Sequence, residues 1–247
     1  MKHLECSQSS LPDDIALKIA SLLEVSDLCA LGSCSRFWRG IYGSDCLWKS
    51  LTRERWPFSD LSQGSSSSSS TSIEIPISKG WKSYYIKKHN EMADRVAEVV
   101  EFVRRSPTSE SIQVGDYLRA IDNLHSMQLG FKDVQLNFFN PKLNALLNLV
   151  GLHYCIKWLQ VQAEKVLEAL ECSKISDRQV SVRWWKVGRR FYGFRMRDES
   201  HCCRVSLADL ATERGDEVLG VLHRGAIHEV LQVQISVADC SCSPWFC

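Results

Sequence analysis

The sequence has no surplus of charge of either sign, since thirty lysines and arginines stand against twenty-nine aspartates and glutamates. The formal net charge of +1 therefore points to no nucleic-acid or membrane partner, which would need a local patch. No apolar run reaches the roughly eighteen residues that a membrane-spanning helix needs. The nearest, "LNALLNLVGLHYCIKWL", is interrupted by asparagine, histidine and lysine. We expect no membrane partner.

The glycine-rich and histidine-rich motifs of common enzymes are also missing. We find no G-x-G-x-x-G, G-x-x-x-x-G-K-[ST], H-E-x-x-H or G-x-S-x-G pattern. His153 and Cys155 are close in sequence, but a coincidence on one helix explains such a pair better than a catalytic dyad does. The sequence predicts a protein that is not an enzyme and that needs no cofactor.

Cysteine is abundant, with eleven residues, but the spacing of structural metal sites is missing. No C-x-x-C pair occurs, and the adjacent Cys202 and Cys203 would point to opposite faces of a strand. The start "MKHLECSQSSLPDDIAL" lacks a basic leader followed by an apolar core. We therefore expect free thiols, no metal and a cytoplasmic or nuclear location.

One segment marks a boundary between two parts of the chain. Residues 62–72, "SQGSSSSSSTS", have almost nothing apolar to bury, which is typical of a flexible linker. Phosphorylation of this serine run is an alternative role. The predicted parts are an N-terminal unit at 8–58, the linker at 59–79, a larger domain at 80–238 and a tail at 239–247.

The larger domain begins with helical patterns. "HNEMADRVAEVVEFVRR" places Met92, Val96, Val99 and Val103 on one face, and "VGDYLRAIDNLHSM" predicts a weaker helix. A longer helical pattern starts at Pro141, which suits a first helical position, and runs to about Cys172. Its apolar stripe shifts after Gly151, so two helices or one bent helix fit equally.

After Ser176 the apolar residues alternate or become rich in β-branched types, which favours strands. The strand candidates are "QVSVRWWKV", "FYGFRMR", "EVLGVL" and "AIHEVLQVQISV". A hairpin turning at 187–189 would set Trp185 beside Phe191 on its outer face. Its buried face would carry the even-numbered residues Val180, Val182, Trp184, Tyr192, Phe194 and Met196. The predicted fold class is α+β, with helices followed by a small antiparallel sheet.

The sequence of the N-terminal unit predicts three short helices, with Ser26 and Ser44 as caps of the second and third. The first, "LPDDIALKIASLL", is apolar almost all round. The second carries two neighbouring apolar stripes, and "GSCSRFWRG" places Trp38 on one of them and Phe37 on the other. Since so small a unit cannot bury all of this surface internally, we expect one stripe to need a partner.

The stretch "LPDDIALKIASLLEVSDLCALGSCSRFWRGIYGSDCLWKSL" resembles an F-box. The resemblance rests on an opening Leu-Pro, an Ile/Leu-rich first helix, Asp-Leu, Cys-x-x-x-Trp and a closing Leu-Trp. Gly32 departs from the family pattern, which prefers a larger residue there, and we expect it to loosen the second helix. Two later segments, "GWKSYYIKKHNEMA" and "RWWKVGRRFYGFRMRDESH", are similar to segments of plant F-box proteins that lack a named substrate module.

The resemblance implies docking to a Skp-type adaptor and, through it, to a cullin-RING ubiquitin ligase, with the larger domain recognising a target protein. Each residue that it marks for adaptor contact has the helix core as an alternative role. The seven residues are Leu11, Pro12, Ile15, Ile19, Leu28, Leu31 and Leu47.

Residues 178–197 interleave arginines with aromatic residues. One interpretation is a solvated hairpin face, and a second is a surface that recognises a peptide or an acidic degron. A third is stacking on bases and binding of phosphates, which would make the chain a nucleic-acid-binding protein. The candidates for target binding are Arg183, Trp185, Phe191 and Arg195, which the predicted hairpin places on its outer face.

Overall fold

The computed structural model describes residues 11–56, 80–105, 111–212, 215–227 and 229–238. The chain divides into two compact units, Met1–Glu91 and Met92–Cys247. The predicted second domain starts at residue 80 instead. The difference arises because Trp81 and Tyr85 pack with the N-terminal helices. The predicted serine-rich linker and the predicted tail lie outside the described residues.

The described residues before the serine-rich segment form four helices, and not the three that the sequence predicts. They are α1 (Asp13–Ser21), α2 (Val25–Cys34), α3 (Arg36–Tyr42) and α4 (Asp45–Arg55). Ser35 separates α2 from α3, because its backbone is extended and its Oγ accepts a hydrogen bond from the Trp38 N–H at 3.3 Å. Helix α2 begins after Glu24, so the predicted cap Ser26 is wrong, whereas Ser44 does precede α4.

Of the seven further helices in the described residues, the five that end by Cys172 confirm the predicted helical region, and the last two lie after Ser176, where strands were predicted. The seven are α5 (Gly80–Arg104), α6 (Val114–Ser126), α7 (Phe131–Phe138), α8 (Ala145–His153), α9 (Ala163–Cys172), α10 (Leu207–Leu210) and α11 (Asp216–Arg224). The predicted inward stripe of α5 is confirmed, since Val96, Val99 and Val103 are buried. A π-helical turn, Tyr154–Trp158, extends α8.

The long helical pattern is broken at other places than expected. Pro141 lies in a turn, and α8 begins after Asn144, whose side chain accepts a hydrogen bond from the Leu147 N–H at 2.9 Å. Gly151 lies inside α8, and the chain breaks instead between Trp158 and Ala163. Every residue of α8 is buried, so this helix forms the centre of the second unit's core.

The sheet is antiparallel, as predicted, but its pairing is different. The strands are β1 (Ser111–Gln113), β2 (Gln179–Lys186), β3 (Arg190–Phe191), β4 (Phe194–Arg195), β5 (Glu199–Ser206) and β6 (Val230–Val237). One sheet has the order β1-β6-β2-β5, and β3 pairs only with β4.

Strand β2 therefore does not form the predicted hairpin with 190–197. Trp184 is buried as expected, but it pairs with His201 and Val233. Tyr192 and Phe194, expected on the same buried face, are exposed. The predicted strand "EVLGVL" lies in α11, which buries the helical face formed by Val218, Leu219, Val221 and Leu222.

Gly151 fixes how closely α7 and α8 approach each other. A Cβ atom there would lie 2.5 Å from Phe138 Cβ and 3.1 Å from Val134 Cγ1. We expect Gly151→Ala to lower the free energy of unfolding of the second unit by about 1–3 kcal/mol, since a packed core resists added volume. The matched control is Gly220→Ala in α11, whose nearest neighbour would be the flexible end of Arg224 at 3.9 Å.

We expect the control to raise stability by about 0.5–1 kcal/mol, the usual gain when alanine replaces a glycine inside a helix. Chemical denaturation of both variants measures the difference. Equal unfolding midpoints would contradict the tight contact between α7 and α8.

A buried histidine makes the stability of the second unit depend on pH. His153 Nδ1 lies 2.8 Å from the Tyr117 hydroxyl oxygen, and its Nε2 lies 3.4 Å from His223 Nδ1. Burial lowers the pKa of His153 to about 3, with smaller contributions from His223 and Lys157. Because this pKa is below the unfolded value of about 6.5, the unfolded chain binds a proton that the folded chain excludes.

The free energy of unfolding should therefore fall by up to about 1.4 kcal/mol per pH unit as pH drops from about 6.5 towards 3. Denaturation series at several pH values measure this slope. His153→Gln should lower this slope by the equivalent of about one proton. An identical slope in the parent and in His153→Gln would contradict the assignment.

Candidate docking faces

Helix α1 has an apolar stripe on each of two faces. Ala16 and Ala20 are fully buried and face the core. Ile15, Ile19 and Leu22 expose 47%, 40% and 81% of their surfaces. Because residues four and three apart share a helix face, these three side chains form one continuous apolar stripe, the α1 stripe. A contiguous exposed apolar patch is typical of a protein-interaction surface.

The residues before α1 extend this surface. Pro12 is exposed and directly precedes the helix, and its carbonyl accepts the first hydrogen bond, from the Ala16 N–H at 3.0 Å. Leu11 is half-buried and packs against the N-terminal core. Asp13 and Asp14 follow in the first turn, where their charges complement the helix dipole.

The seven predicted adaptor contacts fall into three groups. Pro12, Ile15 and Ile19 are exposed, and Leu11 and Leu31 are half-buried. Leu28 and Leu47 belong to the core of the N-terminal unit. The structure thus brings Leu11, Pro12, Ile15 and Ile19 together along one helix and its entrance, and it places Leu28 and Leu47 beneath the surface.

Phe37 and Trp38 are half-buried on α3 and pack against the same core. Their rings meet edge to face, with centroids 5.3 Å apart. Aromatic pairs prefer this geometry because the positive edge of one ring meets the negative face of the other. Much of the aromatic surface that the sequence shows in this segment is therefore used inside the N-terminal unit.

Gly32 does not loosen α2, which continues through it to Cys34. A Cβ atom at Gly32 would lie 2.8 Å from Tyr42 Cγ, so the glycine makes room for the Tyr42 ring. The Tyr42 hydroxyl lies 3.5 Å from the Cys29 thiol. This hydrogen bond, followed by partial burial, raises the pKa of Tyr42 to about 12.

A row of four aromatic rings joins α4 to the first turns of α5. The centroid distances are 5.4 Å from Tyr42 to Trp48, 5.2 Å from Trp48 to Tyr85 and 5.0 Å from Tyr85 to Trp56. The Trp48 indole N–H donates to the Tyr42 carbonyl at 2.6 Å. Sequence reasoning missed Tyr85, because this residue follows the serine run and was assigned to the other domain.

Polar contacts of α4 and α5 surround this row. The Arg55 guanidinium donates to the Tyr85 hydroxyl at 2.6 Å, and the Trp81 N–H donates to Asp45 Oδ1 at 3.0 Å. The Lys82 ammonium group lies 3.8 Å from the centroid of the Tyr42 ring, which is a cation–π contact. The N-terminal unit is therefore completed by residues on both sides of the serine-rich segment.

The four target-binding candidates do not form the predicted outer face. Arg183 and Trp185 lie on β2, where Trp185 pairs with Ser200 and Gln232. Phe191 and Arg195 lie on the separate pair β3 and β4. The register that sets Trp185 beside Phe191 is therefore wrong, although Arg183, Phe191 and Arg195 are all exposed.

The comparisons with known proteins agree with the N-terminal geometry. Residues 8–54 match the family model described as F-box-like, and this match spans α1 to most of α4. The chain carries an F-box-like domain, as the resemblance in its sequence implies. Such a domain supports a role as an adaptor-binding protein of a ubiquitin ligase. No curated protein and no solved structure matches the chain.

The described helices include none that is long and apolar enough to cross a membrane. Over the same residues, no group of three or more histidine, cysteine, aspartate or glutamate side chains is placed to hold a metal ion. Burial raises the pKa of the Cys155 thiol well above its ordinary value, so this thiol stays protonated at neutral pH.

We expect Tyr85→Ala to destabilise the N-terminal unit by about 3–5 kcal/mol, as the loss of a buried aromatic ring does. Ile86→Ala is the matched control, because Ile86 is the next residue of α5 and is exposed; its effect should stay within about 0.5 kcal/mol. Amide hydrogen exchange in α4 measures both effects. Equal protection of α4 in the two variants would contradict the role of Tyr85.

Proposed function

We propose that the chain is the substrate-recognition subunit of a Skp–cullin–F-box ubiquitin ligase. The observation that carries this proposal is the α1 stripe, an exposed apolar surface within the F-box-like domain. Exposed apolar surface of this kind is costly in water and gains free energy when a partner covers it. A Skp-type adaptor is the partner that the family match favours.

In this proposal, the exposed residues among the seven predicted adaptor contacts touch the adaptor, and the buried residues support them. Pro12, Ile15 and Ile19 contact the adaptor directly, with Leu11 and Leu31 at the edge of the contact. Leu28 and Leu47 act from below, since they support the helices that present the exposed side chains.

The second unit provides target recognition in this proposal, and the chain itself carries out no chemistry. Holding a target near a ubiquitin-conjugating enzyme raises the effective concentration of the two, which accelerates transfer without a catalytic residue here. Arg183, Trp185, Phe191 and Arg195 are the proposed target contacts. We place this activity in the cytoplasm or the nucleus, where thiols such as the exposed Cys29 stay reduced.

Adaptor binding should depend on the α1 stripe and not on exposed isoleucine in general. We expect Ile19→Asp to weaken binding of a purified Skp-type adaptor at least about tenfold, because a charge would be buried in an apolar contact. Ile86→Asp is the matched control, since Ile19 and Ile86 expose 40% and 45% of their surfaces.

Titration calorimetry measures the affinity, and circular dichroism checks that both variants fold. The expected result is a loss for Ile19→Asp and parent-like affinity for Ile86→Asp. Parent-like affinity of a folded Ile19→Asp protein would refute the proposed function.

A further inference from the structure

Residues 188–198, which connect β2 to β5, form an ordered projection that we name the arm. The Gly188 N–H donates to Asp198 Oδ1 at 2.9 Å, and the Arg195 guanidinium donates to the same oxygen at 3.0 Å. The Met196 N–H donates to the Arg189 carbonyl at 2.9 Å. A Cβ atom at Gly188 would overlap the Met196 carbonyl, so only glycine fits at the base. These bonds hold the arm in one conformation.

The tip of the arm keeps a bulky residue in an unfavourable backbone conformation. Tyr192 and Gly193 both have positive φ, 48° and 85°, which is the geometry of a tight hairpin turn. Asparagine, aspartate or glycine suits the first of these positions, and a tyrosine there is strained because its Cβ crowds the following carbonyl oxygen. Tyr192 nevertheless exposes 90% of its surface and gains only an edge contact with Phe191. Strain that the fold does not need points to a function of the side chain.

One face of the arm is aromatic. Phe191 and Phe194 lie directly opposite each other across the two strands, so their side chains share a face. They expose 66% and 79% of their surfaces. Two adjacent exposed phenylalanines are costly in water and are removed from it when a partner's apolar side chains cover them.

The other face of the arm is basic. Arg190 and Arg195 also lie directly opposite each other, which places like charges side by side and destabilises the hairpin. Asp198 forms an ion pair with Arg195. Within the described part of the chain, Arg189, Arg190 and Arg197 have no ion pair. A negative group from a partner would offset this repulsion and neutralise the unpaired arginines.

We propose that the arm binds an acidic segment of the target protein in which apolar side chains alternate with aspartate or glutamate. Carboxylates would accept paired hydrogen bonds from Arg190, and the apolar side chains would cover Phe191 and Phe194. Aromatic residues and arginine are the side chains most enriched at interface hot spots. This inference names the target chemistry for the recognition unit and rests on the proposed function.

Two observations favour such a peptide over a nucleic acid. The rings of Phe191 and Tyr192 meet edge to face at 85°, so they offer no flat platform for successive bases. Arg178, which begins the predicted nucleic-acid segment, donates to the carbonyls of Leu143 and Pro141 and to Asn148 Oδ1 within the second unit. Its charge is therefore used inside the fold.

The test uses the full chain bound to a Skp-type adaptor and a displayed library of short random peptides. Peptides that the parent enriches are synthesised, and their affinities are measured by fluorescence anisotropy alongside random single-stranded DNA and RNA of similar length. The variants are Arg190→Glu and Tyr192→Asn. The matched control is Arg95→Glu, at an exposed position of α5 in the second unit.

Both arm variants should stabilise the arm while they weaken binding. Arg190→Glu replaces a repulsive cross-strand pair with an attractive one, and Tyr192→Asn relieves the strained turn. We expect selected peptides rich in acidic and apolar residues, with affinity lowered at least about tenfold by each arm variant and unchanged by Arg95→Glu. A loss of affinity in a variant that is no less stable than the parent assigns the effect to contact and not to unfolding.

The inference is overturned if the selected peptides lack acidic residues, or if neither arm variant weakens their binding. It is equally overturned if the oligonucleotides bind more tightly than every selected peptide at physiological salt. Adaptor affinity is recorded for each variant and should not change. The effect of Ile19→Asp on adaptor binding therefore tests the proposed function, and the arm variants test the arm separately.

Discussion

The four helices before the serine-rich segment contain more apolar side chain than they can bury among themselves. Tyr85 relieves part of this excess, since its ring packs between Trp48 and Trp56 and its hydroxyl accepts a hydrogen bond from Arg55. What remains uncovered is the outer side of α1. The small size of the unit therefore explains both features: the first turns of α5 complete its core, and the α1 stripe stays exposed.

Periodicity predicted those elements whose buried face is long and regular. Helix α5 and strand β2 are such elements, because their apolar residues repeat at one spacing over several turns or pairs. It failed for residues 217–222, where valine content favoured a strand although the apolar positions also fit a helix. Periodicity also failed to predict the strands that pair with β2, because alternation shows which residues share a face of a strand but not which strand lies beside it. The sequence "ESHCCRVS" of β5 is too polar to indicate a strand inside a sheet.

The candidate docking residues could be predicted from a motif, but the burial of each side chain could not. Leu28 and Ile19 are equally apolar in the sequence, yet the first is buried and the second exposed, because α1 turns Ala16 and Ala20 towards the core instead of its isoleucines. The extended backbone at Ser35 follows from a capping hydrogen bond to Trp38, which no apolar pattern indicates. Likewise Phe191 was correctly expected to be exposed, but as part of the arm and not beside Trp185.

The two proposed contact surfaces differ in chemistry in a way that suits different partners. The α1 stripe consists of aliphatic side chains, so its free energy of binding comes from removal of apolar surface and depends little on salt. The arm combines aromatic rings with arginines, whose attraction for an acidic partner is screened by salt and accelerates encounter. In the proposed function the adaptor contact is of the first kind and the target contact is of the second, so added salt should weaken capture of the target before it weakens adaptor binding.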